Sequence, residues 1–181
     1  MLRRPALVGL AIALVVPLAA CSQSTRLPEA EPSSEVAPLF ASDEEALAAA
    51  TAAYEEYLAV LDAALQGPVS DGGELESVSR GQALVSAQES IAEFIEDQLR
   101  ISAPRVVGGA RLQQHTSSGS EAEVTSYFCE DISGVLLLDA GGNSLSEADR
   151  PDYTVFEATV EFGPAGAFVV ERAFWSNESS C

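Results

Sequence analysis

The chain offers few residues that chemistry would readily use. There is one histidine, His115, three cysteines, Cys21, Cys129 and Cys181, and 28 acidic residues with no lysine. A serine hydrolase would need His115 to serve a serine on a marked turn such as G-x-S-x-G, and the sequence has no such turn. Zinc asks for several His or Cys ligands together, and these are absent. Gly108-Gly109 and Gly141-Gly142 lack the lysine and the strand–helix setting of a phosphate loop, so they read as bulge or turn glycines. Asp139, Asn143, Glu147 and Asp149 bring together oxygens of the kind calcium takes. Their spacing misses the EF-hand pattern, and turns are rich in Asp and Asn anyway. His115 falls at a polar strand end and is expected at the surface. Glu157, Glu161 and Glu171 alternate with apolar neighbours and read as a solvent face. No catalytic residue, metal ligand or cofactor is predicted.

Cys21 has the clearest context. Arg3 and Arg4 precede an apolar stretch from Ala6 to Ala20 that Gly9 and Pro17 interrupt. Spanning a bilayer takes about 20 apolar residues, so this stretch is short for a membrane helix and fits the apolar region of a secretory signal. It ends Leu18-Ala19-Ala20-Cys21, which resembles the lipobox of bacterial lipoproteins. The resemblance implies that residues 1–20 are a signal peptide and that Cys21 carries fatty-acyl chains such as palmitate. Two acyl chains hold a protein stably on a membrane. The expected location is therefore the extracytoplasmic face of the cell membrane, through a lipid anchor.

With Cys21 lipidated, Cys129 and Cys181 remain in an oxidising compartment, where a disulfide is expected and two free thiols are the alternative. The bridge would close a loop of about 50 residues, contributing on the order of 4 kcal/mol through chain entropy. From Cys21 onward seven arginines face 28 acids, a net charge of −21. Such a chain is repelled by nucleic acid and by anionic headgroups, so no nucleic-acid partner is expected. The charge suits either a cationic partner or simple solubility.

Residues 21–41 are rich in Pro, Ser and acids and read as a flexible tether. A single domain is expected over 42–181. Ser42 and Glu45 form a capping box, followed by an apolar stripe of Leu47, Thr51, Tyr54, Leu58, Leu61 and Leu65 that stops at Gly67-Pro68. A second helical region begins near Glu74, as a short piece and then a longer one, with Leu84, Gln88, Ile91, Ile95 and Leu99 on one face. Pro104 ends it. Strands are then predicted over Val106–Thr116, Glu121–Glu130, Val135–Leu138, Tyr153–Phe162 and Ala167–Ser176. In the second of these, Ala122, Val124, Ser126 and Phe128 face one way and Thr125, Tyr127 and Cys129 the other. The short turns imply antiparallel hairpins. The predicted fold class is α+β: N-terminal helices packed on a curved antiparallel sheet of about four strands.

Several segments resemble actinobacterial lipoproteins with an NTF2-like (cystatin-like, SnoaL-like) domain. They are Ala53-Tyr54-Glu55-Glu56-Tyr57-Leu58, Val106-Val107-Gly108-Gly109, Cys129-Glu130-Asp131-Ile132-Ser133-Gly134-Val135 and Asp139-Ala140-Gly141-Gly142-Asn143, with Trp175 and Cys181 near the end. The resemblance covers roughly residues 42–181. It implies a sheet wrapped around helices as a cone with an internal pocket, and it implies no reaction. Tyr54, Phe94, Tyr127, Phe156 and Trp175 are the candidates to line that pocket, with core packing as the alternative for each. The expected function is an uncharacterised non-catalytic binding or protein-interaction domain, its partner a small apolar ligand or an envelope protein. The alternative is a pocket enzyme of isomerase or dehydratase type, which needs a buried carboxylate of raised pKa beside an open cavity.

Overall fold

A computed structural model of the chain describes residues 37–67, 73–176 and 181. The expected signal peptide, Cys21 and most of the expected tether lie outside the described residues. Helix α1 spans Asp43–Gln66, a 3₁₀ turn spans Gly73–Ser77, and α2 spans Gly81–Glu96. The strands are β1 (Arg100–Ile101), β2 (Val106–Ser118), β3 (Glu121–Asp131), β4 (Leu137–Leu138), β5 (Tyr153–Gly163) and β6 (Gly166–Ser176). The sequence did not reveal β1, which pairs with β4 as a two-stranded ribbon. The main sheet runs β2-β3-β5-β6, antiparallel throughout. This is the α+β arrangement expected, with helices packed on a four-stranded antiparallel sheet.

The cap of α1 forms as its residue types require. Ser42 Oγ accepts the Glu45 N–H at 3.2 Å, while a Glu45 carboxylate oxygen accepts the Ala41 N–H at 2.8 Å, one residue earlier than a strict capping box. The tether therefore ends sooner than expected. Phe40 is buried edge-on against Phe162, with ring centroids 5.0 Å apart, and the Leu39 N–H donates to Ser117 Oγ. An aromatic residue two positions ahead of the cap anchors the segment, a signal hidden among the prolines and serines around it.

The stripe expected on α1 is buried from Tyr54 onward, through Leu58, Leu61 and Leu65; Leu47 and Thr51 are only half-buried. The face expected on α2 is displaced. Ala83, Ala87 and Ile91 are buried, whereas Gln88 and Ile95 are exposed. Small alanines let the helix approach the sheet closely, and bulkier side chains stay at the rim. The helix starts at Gly81 with φ of 57°, and a Cβ there would sit 3.1 Å from the Val170 carbonyl oxygen of β6. It ends in a Schellman motif: the Leu99 N–H donates to the Phe94 carbonyl and the Gln98 N–H to the Ile95 carbonyl. Gln98 takes the left-handed position, with φ of 54°. Leu99 thus lies beyond the helix and cannot share its face.

Register shifts at Val107/Gly109 and Leu112/Gln114 in β2, and at Thr159/Val160 between β5 and β6, mark bulges that bend the sheet. Gly108 sits in the first of them. The inner face carries Ala122, Val124, Ser126 and Phe128 of β3, all buried beneath the helices. Thr125, Tyr127 and Cys129 point to the outer face, as the alternation predicted.

Candidate functional site

Four charged side chains meet where α1 crosses the inner face. On α1, Tyr54, Leu58 and Asp62 lie at i, i+4 and i+8, so one stripe carries a phenol, an alkyl group and a carboxylate toward the sheet. On β3, Glu130 continues the inward alternation Val124, Ser126, Phe128 by one more step. Arg105 follows Pro104 at the entry to β2, and Arg172 lies in β6. Glu130 and Asp62 are almost fully buried, at 0% and 1% exposure. Glu130 accepts from Arg105 Nη1 at 3.0 Å on one oxygen, and from Arg172 Nη2 at 2.6 Å and the Tyr54 hydroxyl at 2.5 Å on the other. Asp62 accepts from the Arg105 side chain through Nε at 2.8 Å and Nη2 at 2.5 Å, and from its backbone N–H at 2.6 Å. Arg172 Nε also donates to the Tyr54 hydroxyl at 2.8 Å. The Arg172 guanidinium lies on the Phe156 ring, 3.4 Å from its centroid. Two acids thus face two guanidiniums, and the cluster is neutral in sum.

The electrostatics follow from that pairing. Burial pushes the Glu130 pKa up, but Arg172 and then Arg105 pull it down further, leaving it below the ordinary value of 4.5. Burial raises the Tyr54 phenol well above 10.0, and Arg172 only partly opposes this. Glu130 is therefore a buried carboxylate held ionised. It lacks the raised pKa that a pocket base of the isomerase kind would require.

The five aromatic candidates do not line one cavity. Tyr54 is fully buried and stacked on Phe128, with ring centroids 4.0 Å apart. With Tyr57 and Phe128 it fills the centre of the inner face. Phe156 lies under Arg172, next to the exposed Phe174. Phe94 lines a groove of about 520 Å³ at the far ends of both helices, together with Ile95, Gln98, Leu99, Arg100 and Asp139. Tyr127 and Trp175 pack together on the opposite, outer face, with ring centroids 4.9 Å apart. Strand alternation separates them from Tyr54: Phe128 points inward, so Tyr127 beside it must point outward.

Cys129 and Cys181 are joined by a disulfide with a Cα–Cα distance of 5.8 Å. His115 is half-buried rather than on the surface, and its Nε2 lies 2.9 Å from Asp43 Oδ1 at the start of α1. The Asp139 carboxylate is occupied by the Asn143 backbone N–H at 2.8 Å and its side-chain amide at 3.0 Å, which hold the turn. Among the described residues, no three His, Cys, Asp or Glu side chains are arranged to hold a metal ion. Among the same residues, no helix is long and apolar enough to cross a membrane.

Among the described residues no helix covers the outer face: both helices pack on the inner side and the β6 edge. It carries Glu123, Glu157, Glu161 and Glu171 around the Thr125–Thr159 pair, whose hydroxyls lie 3.1 Å apart. Two grooves run over it. One of about 300 Å³ is lined by Gln114, Glu157 and Glu171 among others, and one of about 590 Å³ by Arg80, Thr116 and Phe168; Glu123 and Glu161 belong to both.

The Arg105–Asp62–Glu130–Arg172 cluster escaped the reading of the sequence, although two signals pointed to it. Asp62 interrupts an apolar helical stripe, and Glu130 occupies the next inward position of an alternating strand. A charged residue at a core-facing position implies a buried partner.

No protein-family model matches the chain. No curated protein matches it either. Among solved structures, the chain is similar to the intermembrane space region of the chloroplast protein ARC6. The likeness has 17% identity and a TM-score of 0.52, and covers 71% of this chain and 96% of that one. At this identity the similarity concerns the fold.

Proposed function

We propose that the protein is a lipid-anchored lipoprotein on the extracytoplasmic face of the cell membrane, whose NTF2-like domain binds a protein partner and performs no chemistry. One observation carries the reading: the centre of the inner face, where the fold would hold a ligand, is filled by Tyr54, Tyr57 and Phe128 and closed by the paired charges of Glu130 and Asp62. A small apolar ligand finds no room there, while among the described residues no helix lies over the outer sheet face, where Trp175 is 58% exposed. A core packed to the usual density of protein interiors has no ligand space, whereas exposed aromatics with a polar surround suit a partner surface. The leader ending at Cys21 supports the anchor, and the −21 charge supports a domain held off the headgroups.

Two measurements test the reading in the organism's own cells. Metabolic labelling with a fatty-acid analogue should mark the chain, and Cys21→Ala should abolish the mark; persistent labelling removes the anchor. A photo-crosslinking residue at position 175 should give one discrete protein adduct in membranes, and the same residue at Glu89 none. Indiscriminate or absent adducts at position 175 remove the partner on this face.

A further inference from the structure

The outer face of the main sheet has two aromatic ends with carboxylates between them. At one end Arg80 lies on the Phe168 ring, 3.3 Å from its centroid, and at the other Tyr127 packs against Trp175. Between them Glu123, Glu157, Glu161 and Glu171 make no ion pair with any described residue. The reason lies in how the arginines are spent. Arg105 and Arg172 neutralise the buried acids, Arg80 covers Phe168, and Arg111 reaches over Tyr127 at 5.4 Å. Of the other described arginines, Arg100 lies by Gly142 and Arg150 donates to the Ser133 and Val135 carbonyls, and the chain has no lysine, so this face holds four carboxylates against only the two guanidiniums of Arg80 and Arg111.

We propose that this face docks an arginine-rich segment of a protein partner, a proposal that rests on the interaction reading above and names the partner's chemistry. Charge complementarity selects the occupant. A second copy of the chain would bring the same strong negative charge, −19 over the whole chain, and be repelled, whereas a cationic segment is drawn in. The molecule also displays the mode of contact twice within itself, since Arg80 on Phe168 and Arg111 over Tyr127 are guanidinium–ring contacts on this face. Exposed Trp175 offers a third ring, and indole is the best such platform. The two grooves meeting at Glu123 and Glu161 give carboxylates within reach of successive guanidiniums.

Trp175 is the only tryptophan of the chain, so it reports on this face directly. The probe is a short oligo-arginine peptide titrated into the full chain in detergent at low ionic strength, read by indole fluorescence. The triple variant Glu123→Gln, Glu157→Gln, Glu171→Gln should raise Kd by about tenfold or more. A charge-matched control on the helices, Glu55→Gln, Glu56→Gln, Glu89→Gln, should change it by less than about twofold. Unchanged emission of the peptide-free variants checks that each has folded. Equal weakening by both triples means a diffuse charge effect and overturns the proposal, as does binding that survives the face variant. If position 175 still captures a partner by crosslinking in that case, the interaction reading stands and only the partner's chemistry is wrong.

Discussion

The two faces of one sheet treat carboxylates in opposite ways. Inside, Glu130 and Asp62 are each met by a guanidinium, and every close neighbour is a donor. Outside, across the thickness of a single strand layer, Glu157 meets a glutamine amide, with Gln113 Nε2 3.2 Å away, and no guanidinium pairs with it or its acidic neighbours among the described residues. Burial demands local neutrality because a lone charge out of water costs several kcal/mol, and exposure makes no such demand. Two of the domain's scarce cations are therefore fixed by the inside, and the outside is left acidic as a consequence.

The comparison breaks first, and most visibly, on single substitutions. Glu130→Gln leaves the Arg172 guanidinium without its carboxylate and Arg105 with Asp62 alone, and should cost about 3–5 kcal/mol in urea unfolding. Glu157→Gln on the other face should stay within about 0.5 kcal/mol. Similar values for the two would mean that the inner cluster is not energetically buried. The disulfide ties the outer face at Cys129 to Cys181. The pair Cys129→Ser and Cys181→Ser, which opens a loop with a sequence separation of 52, should cost about 4 kcal/mol by chain entropy.

Next comes pH. The folded pKa of Glu130 lies below its unfolded value, so its contribution is present above about pH 4.5 and is lost as pH falls through the folded value. The folded pKa of Tyr54 lies above 10.0, so its contribution is intact below that and is lost as pH rises past it. Stability should thus fall on both sides of a broad plateau, and Glu130→Gln should flatten the acid limb. An acid limb unchanged in that variant would assign it to other groups. The smallest effect concerns adjacent hydroxyls on opposite faces. Ser126 Oγ is buried on the inner face with no partner among the described residues, so Ser126→Ala should be neutral or stabilising by up to about 1 kcal/mol. Thr125→Val orphans Thr159 and should cost about 1 kcal/mol, both read by urea unfolding.

Much of the architecture was legible because periodicity records which side of an element faces the core. The period-2 pattern of β3 separated Phe128 from Tyr127 correctly, and the turns placed all four strands of the main sheet. The failures share a cause. The face of α2 was drawn through Leu84, Gln88, Ile91, Ile95 and Leu99, whereas Ala83 and Ala87, with Ile91, set the contact through close approach. The aromatics were grouped by chemistry as one pocket, although Tyr127 and Tyr54 belong to opposite faces. Asp62 and Glu130 were passed over because their partners, Arg105 and Arg172, are 43 and 42 residues away in the chain. Such pairing is invisible to any local pattern.

The early docking of residues 39 and 40 sets how the domain bears load. A pull on the chain from its N-terminal side does not reach the first turn of α1 directly. It is taken first by the Leu39 amide on Ser117 and the Phe40 ring wedged on Phe162, which sit on β2 and β5. Tension is thus shared across the sheet before it can unwind the helix. The buried ionic cluster, far along α1 from this point of entry, is shielded from it.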